Sequence, residues 1–210
     1  MKIAVFGATG RTGRLLTSGA LERGHVVTAL VRDPARLGAL SERVHVVTGD
    51  VLDGGAVSDA VDGQEAVLVA LGVAVRKGDP AVSSLGTLNV IRSMQRYGTR
   101  RLVVLSSGGA QPGRDPNASW YFDHLVKPLF LKHAFADLRR METSVRQSEL
   151  DWTLVRAARL VDGPARGTCR AEPGYSLPGG ARIARADVAA FMLDELQRRD
   201  NIAHALAIAY

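Results

Sequence analysis

The chain has 210 residues, 46% of them hydrophobic and 23% charged, with a formal net charge of +6. That is the size and balance of one globular domain with a full core. No apolar run nears the roughly 18 residues needed to cross a bilayer, and the single cysteine, Cys169, excludes an internal disulfide and a cysteine metal cage.

The positive charge raises nucleic acid as a partner. The arginines are scattered, however, with no dense tract and no interleaved aromatics, so an anionic aromatic small molecule is the better match to the field. The histidines (His25, His45, His124, His133, His204) have no ligand spacing, so no metal is expected.

In chain order, Ile3, Ala4, Val5 and Phe6 form an apolar run suited to a strand buried on both faces of a parallel sheet. Gly7, Gly10 and Gly13 follow at three-residue spacing, and residues 14–23 read as a helix. A strand that turns through glycines into a helix aims backbone N–H groups and the positive end of the helix dipole at one point, which is a pyrophosphate site. Gly7 serves the tight turn, Gly10 the approach of the phosphates, and Gly13 the close packing of helix on strand. This start also lacks the apolar stretch of a signal peptide, which with one cysteine suits the cytoplasm.

Residues 25–31 are a second strand, followed by Arg32-Asp33-Pro34-Ala35-Arg36. A free adenosine ribose is usually met there by a carboxylate, and a 2′-phosphate by a cation. Arg32 and Arg36 suit a dianionic phosphate, with Asp33 an N-cap ahead of Pro34; the expected cofactor is NADP(H), with NAD(H) as the alternative. The other reading of the two arginines is solvated charge at a helix start.

Residues 44–51 form a third strand, ending in Asp50 and Val51. Asp50 accepts from the adenine amino group, with Val51 beneath the ring, or else caps the helix at 56–61. A fourth strand runs over 66–72; Leu71 and Gly72 at its end let the backbone pass close to the cofactor. Residues 83–97 are a helix with Leu85, Leu88, Ile91 and Met94 inward, and Asn89 structural. The fifth strand, Arg101–Ser107, ends in Ser106 and Ser107, aimed at the site because ligands bind outside the carboxyl ends of such strands.

Residues 120–130 gather aromatic and aliphatic side chains around Pro128, as a helix packed on its own domain, a lid over the substrate, or a subunit contact. Trp120 is the substrate-binding candidate of that stretch. Residues 132–149 are an amphipathic helix with Phe135, Leu138, Met141 and Val145 inward. A sixth strand at 152–156 ends in Arg156, with Arg159 just beyond; both are candidates to hold a substrate phosphate or carboxylate. Residues 163–181 read as a loop or short hairpin by the pocket, 185–193 as a capped helix and 203–209 as a last strand.

Together these segments resemble an atypical short-chain dehydrogenase, in particular the biliverdin-IXβ reductase/flavin reductase group. The resemblance rests on Phe6-Gly-Ala-Thr-Gly-Arg-Thr-Gly13, Leu30-Val-Arg-Asp33, Gly49-Asp-Val-Leu52, Arg146-Gln-Ser-Glu-Leu150, and Asp187 with Phe191-Met-Leu193. The first motif is shared with nucleotide-sugar epimerases and NmrA-like proteins.

The resemblance implies one Rossmann-type, doubly wound α/β domain over residues 1–210. It has a mostly parallel sheet of about seven strands with helices on both faces, and substrate-side regions near 110–135 and 160–186. It implies NADP held by Gly7, Thr9, Gly10, Arg11, Thr12 and Gly13, Arg32 on the 2′-phosphate, and Ser107 beside the nicotinamide.

Two departures stand out. No tyrosine is followed four places later by lysine, the usual proton-donor pair, and two histidines of the reductases are Leu138 and Arg159 here. The expected activity is therefore NADPH-dependent reduction of FMN or riboflavin more than of a tetrapyrrole, by a monomer or homodimer. The rival is an NADP(H)-sensing, NmrA-like binding protein without turnover.

Overall fold

The computed structural model describes residues 1–72, 81–111, 113, 115–117 and 132–210. In chain order the elements are β1 (Lys2–Phe6), α1 (Arg11–Glu22), β2 (Val26–Val31), a 3-10 segment (Pro34–Glu42), β3 (His45–Thr48), α2 (Gly54–Val61), β4 (Ala66–Val69) and α3 (Val82–Tyr97). They continue with β5 (Arg101–Ser107), a 3-10 turn (Gly108–Ala110), α4 (Lys132–Arg146), β6 (Asp151–Ala157), β7 (Arg159–Val161), β8 (Arg170–Pro173), β9 (Arg182–Ala184), α5 (Arg185–Glu195) and β10 (His204–Ala209).

The sheet has eight strands in the order β3-β2-β1-β4-β5-β6-β10-β8, and every neighbouring pair is parallel except β10 with β8. Its strand order reverses between β1 and β4. In a doubly wound sheet the ligand crevice opens there, at the carboxyl ends.

Alternation along each strand divides the core. Ile3 and Val5 of β1 pack with Leu16 and Ala20 of α1 and Val188 and Met192 of α5, while Ala4 and Phe6 pack with α2, α3 and Met141 of α4. The expected doubly wound α/β sheet is thus present, with one strand more than expected. Residues 163–181 contribute β8 along β10, and β9, which pairs with β7 in a separate two-stranded sheet.

Other expectations need correction. Leu85 of α3 faces outward, because the inner face of that helix carries Ser83, Ser84, Gly86 and Thr87 besides Val90, Ile91 and Met94. Small residues are needed there: a Cβ on Gly86 would lie 2.8 Å from a Val51 methyl.

On α4 the buried face includes Asp137 and Glu142, and Leu138 is half-buried. Asp137 accepts from the Ser83 N–H (2.9 Å), the Ser84 N–H (3.3 Å) and the Ser84 hydroxyl, capping α3 from a neighbouring helix. The residue that caps α2 is Asp53, not Asp50, and α5 has no side-chain cap. Asp187 in its first turn instead accepts from the Arg166 and Gly167 N–H groups and the Tyr210 hydroxyl, pinning the segment after β7. Among the described residues no helix is long and apolar enough to cross a membrane.

Candidate dinucleotide and acceptor site

The glycine turn sits at the head of the crevice. Gly7 has φ +88°, and a Cβ there would lie 2.4 Å from the Ala70 carbonyl oxygen at the end of β4. A Cβ on Gly13 would lie 1.9 Å from the Gly7 carbonyl oxygen, so α1 can approach β1 only with glycine at this position. The Gly10 N–H donates to the Gly7 carbonyl at 2.9 Å and closes the turn.

Gly10 is also the N-cap of α1, which has neither a side-chain cap nor an acidic residue in its first turn. Its first amides and the positive end of its dipole are therefore directed at an external anion. This cradle, which any side chain at Gly7 or Gly13 would fill, fits the pyrophosphate of a dinucleotide. Thr9 is half-buried and Thr12 buried beside it. Arg11 pairs with Asp162 after β7, which also receives the Arg185 guanidinium at 2.8 Å.

At the adenosine end, Arg32 follows β2 with its side chain 72% exposed and Nη1 3.8 Å from Asp50 Oδ2. The other Asp50 oxygen accepts from the Leu52 N–H at 3.0 Å, so the carboxylate is fixed by its own turn. Asp33 caps the 3-10 segment, accepting from the Ala35 N–H at 3.1 Å, with Pro34 at the first position. One oxygen of the Asp33 carboxylate is thus engaged by its own segment.

Arg36 is exposed, and the Arg14 guanidinium donates to the Arg36 and Leu37 carbonyls, bracing the segment that carries it. Val51 is buried, and its carbonyl accepts from Asn89 Nδ2 at 3.0 Å. Leu71 is half-buried against Gly86, and Gly72 is exposed.

At the carboxyl end of β5 the two serines part company. Ser106 is buried and donates to Glu142 Oε1 at 2.7 Å, whereas Ser107 is half-buried and its hydroxyl has no partner among the described residues. Glu142 also accepts from Arg156 Nε at 2.9 Å and Nη2 at 2.5 Å, and from Arg146 Nη2 at 3.0 Å. Burial alone would push the Glu142 carboxyl up, but the Arg156 hydrogen bonds and charge, the Ser106 hydroxyl and Arg146 outweigh it and hold it below the usual glutamate range.

The structure therefore reassigns Ser106 and Arg156. Arg156 is 3% exposed, and its remaining donor is 3.3 Å from the Gly174 carbonyl, so its charge is satisfied inside the protein and is not offered to a substrate. Arg159 does stand exposed at the start of β7, in register with Arg182 on β9, and neither guanidinium has a partner among the described residues. Sequence reading missed Arg182, because only the β7–β9 pairing brings it beside Arg159. Trp120 and the rest of 120–130 lie outside the described residues.

The NAD(P)H-binding family model matches residues 7–199. The chain belongs to the NAD(P)H-binding family.

Its relatives include a 3-diazoavenalumate denitrifying reductase from Streptomyces sp., 33% identical over an alignment 188 residues long that covers 81% of this chain and 59% of that protein. The chain covers from 12% to 87% of the length of several curated relatives. Solved structures that share the fold include the following two. A short-chain dehydrogenase/reductase from Veillonella parvula in complex with NADP has a TM-score of 0.82 at 22% identity, covering 100% of this chain and 94% of that one. An anaerobillin reductase from Escherichia coli O157:H7 has a TM-score of 0.82 at 23% identity, covering 99% and 97%.

Proposed function

We propose that the protein is an NADPH-dependent reductase acting on a planar, electron-poor acceptor of the flavin type, in the cytoplasm. The observation that carries the reading is the glycine cradle at the uncapped start of α1, on the same sheet edge as the Ser107 hydroxyl, which has no partner among the described residues. A sequence relative and a structure of the same fold, each named a reductase, support the class of reaction.

The cofactor, when bound, supplies a hydride. The residues of this chain do the rest. The amides of Arg11 through Gly13 hold the pyrophosphate, and Arg32 with Arg36 holds the 2′-phosphate, where a guanidinium offers charge and a bidentate face. Asp50, Val51, Leu71 and Gly72 border the adenosine. Ser107 orients the carboxamide or the acceptor, and Arg159 with Arg182 holds an acidic group on the acceptor. No protein acid is required, because a reduced flavin nitrogen takes its proton from water; catalysis is the placement of two stacked rings.

Mixing the protein with NADPH and riboflavin, FMN, a quinone or biliverdin, and following loss of the reduced nicotinamide absorbance, tests the reading. Turnover is expected with a flavin. If NADPH is bound but no acceptor is reduced, the reductase reading is wrong and the protein is a dinucleotide sensor. Arg32→Ala should raise the KM for NADPH about 10- to 100-fold, as loss of a charge-assisted contact, and leave NADH nearly unchanged. An equal loss for both cofactors would remove the 2′-phosphate assignment.

A further inference from the structure

We infer that Tyr175 is the aromatic face against which the acceptor ring stacks, an assignment that rests on the reductase reading above. Among the described residues two tyrosines are exposed, Tyr97 and Tyr175. Tyr97 is accounted for: its hydroxyl lies 3.1 Å from Ser58 Oγ, and the Arg96 guanidinium sits over its ring. Tyr175 is 48% exposed, and neither its hydroxyl nor its ring has a partner among the described residues.

The chain on either side of this bare ring is held with unusual care. The Gly174 N–H donates to the Ala205 carbonyl at 3.3 Å, and its carbonyl accepts from the buried Arg156. The Ser176 N–H donates to Asp115 Oδ2 at 3.1 Å, and its carbonyl accepts from Asn117 Nδ2 at 2.6 Å. Asp115 is 5% exposed. Two buried charges thus fix the backbone immediately before and after one exposed aromatic side chain. Loop tips normally carry small polar residues on mobile backbone. A rigid backbone presenting a bare aromatic ring is instead the arrangement of a binding surface, because the ring is already oriented before a partner arrives.

Position decides which partner. Asp115 and Asn117 lie on the chain that leaves β5, and Ser176 packs against Gly108, where a Cβ would come within 3.1 Å of Ser176 Oγ. Gly108 is the residue after Ser107. Ser176 thus ties the segment that follows β8 to the carboxyl end of β5, on the half of the sheet away from Arg32 and the adenosine end. The electron-rich face of a phenol ring suits an electron-poor π-system in offset contact. The residue accordingly selects flat, π-deficient acceptors over aliphatic carbonyl compounds.

The test uses the full-length protein and riboflavin, which has the ring without the phosphate. Tyr175→Ala should raise the riboflavin KM roughly five- to tenfold, the range expected for loss of one aromatic contact, with the NADPH KM unchanged. Tyr175→Phe should match the unsubstituted protein, since the ring and not the hydroxyl is used. An unchanged riboflavin KM in Tyr175→Ala, or an equal defect in Tyr175→Phe, overturns the assignment.

A third variant separates this inference from the reductase reading. In Tyr175→Trp, riboflavin titration should quench indole emission beyond the quenching of Trp120 and Trp152 seen in the unsubstituted protein. If the protein turns over no acceptor, saturable extra quenching still supports a stacking site at 175, and its absence removes it.

Discussion

Two arginines are buried in this sheet, one at each end of the strands, and they are served very differently. Arg156, at the carboxyl edge, meets Glu142 with two nitrogens, and that carboxylate is filled by Ser106 and Arg146. Arg101, at the amino edge, donates chiefly to backbone: the Glu195 carbonyl and, at 2.8 Å, the Asp151 carbonyl. The Glu195 carboxylate comes only within 3.9 Å of it, and one of its oxygens is buried without a hydrogen bond.

A buried charge pair is stabilising only if its lone pairs and protons are filled, and the cost of breaking it follows the same rule. At the carboxyl edge, where we propose the ligand binds, the pair is complete. At the opposite edge the pairing is left slack.

The largest test of that contrast is Glu142→Ala, which leaves the Arg156 guanidinium buried without its carboxylate. It should cost about 3–5 kcal/mol in urea unfolding. A milder comparison sets Glu142→Gln against Glu195→Gln. The first should lose about 1.5–3 kcal/mol, as for a hydrogen bond to a charged group, and the second less than about 1 kcal/mol, because the oxygen replaced makes no hydrogen bond. Equal losses would dissolve the distinction between the two ends.

The smallest expected effect is in acid. Glu142 is held below its unfolded value, so its contribution is complete above about pH 4.3, the ordinary glutamate value. It is lost as pH falls through the lower folded value, since the unfolded chain then takes up the proton first. The unsubstituted protein should therefore lose stability more steeply below that pH than Glu142→Gln does. Parallel curves would remove Glu142 from the acid response.

The phosphate cradle was legible because its determinants are local. An apolar run, three glycines and a helix lie within 22 residues, and the contact that demands glycine at position 13 is with Gly7, six residues away. The same was true of Asp33 with Pro34, a cap that spans two residues.

What could not be read was whatever depends on a distant partner. Glu142 and Asp137 look like solvated helix charges until Arg156, Ser106 and the start of α3 are brought to them, 14 to 54 residues away. Hydrophobic period put Leu85 on the inner face of α3, but close contact with Val51 demands small residues there. Ser106 and Ser107 are adjacent and chemically identical, and only the direction of their strand's pleat separates a structural hydroxyl from an available one.

The four residues of β8 carry a last consequence. They are all exposed, yet they lie along β10, a strand of alanine, leucine and isoleucine whose outer N–H and C=O groups would otherwise form a sticky margin. Arg170 and Glu172 put charge on that margin, and Pro173 lacks an amide hydrogen with which to recruit another strand. By its short final hem the sheet is stopped from growing sideways into a neighbouring molecule on this flank.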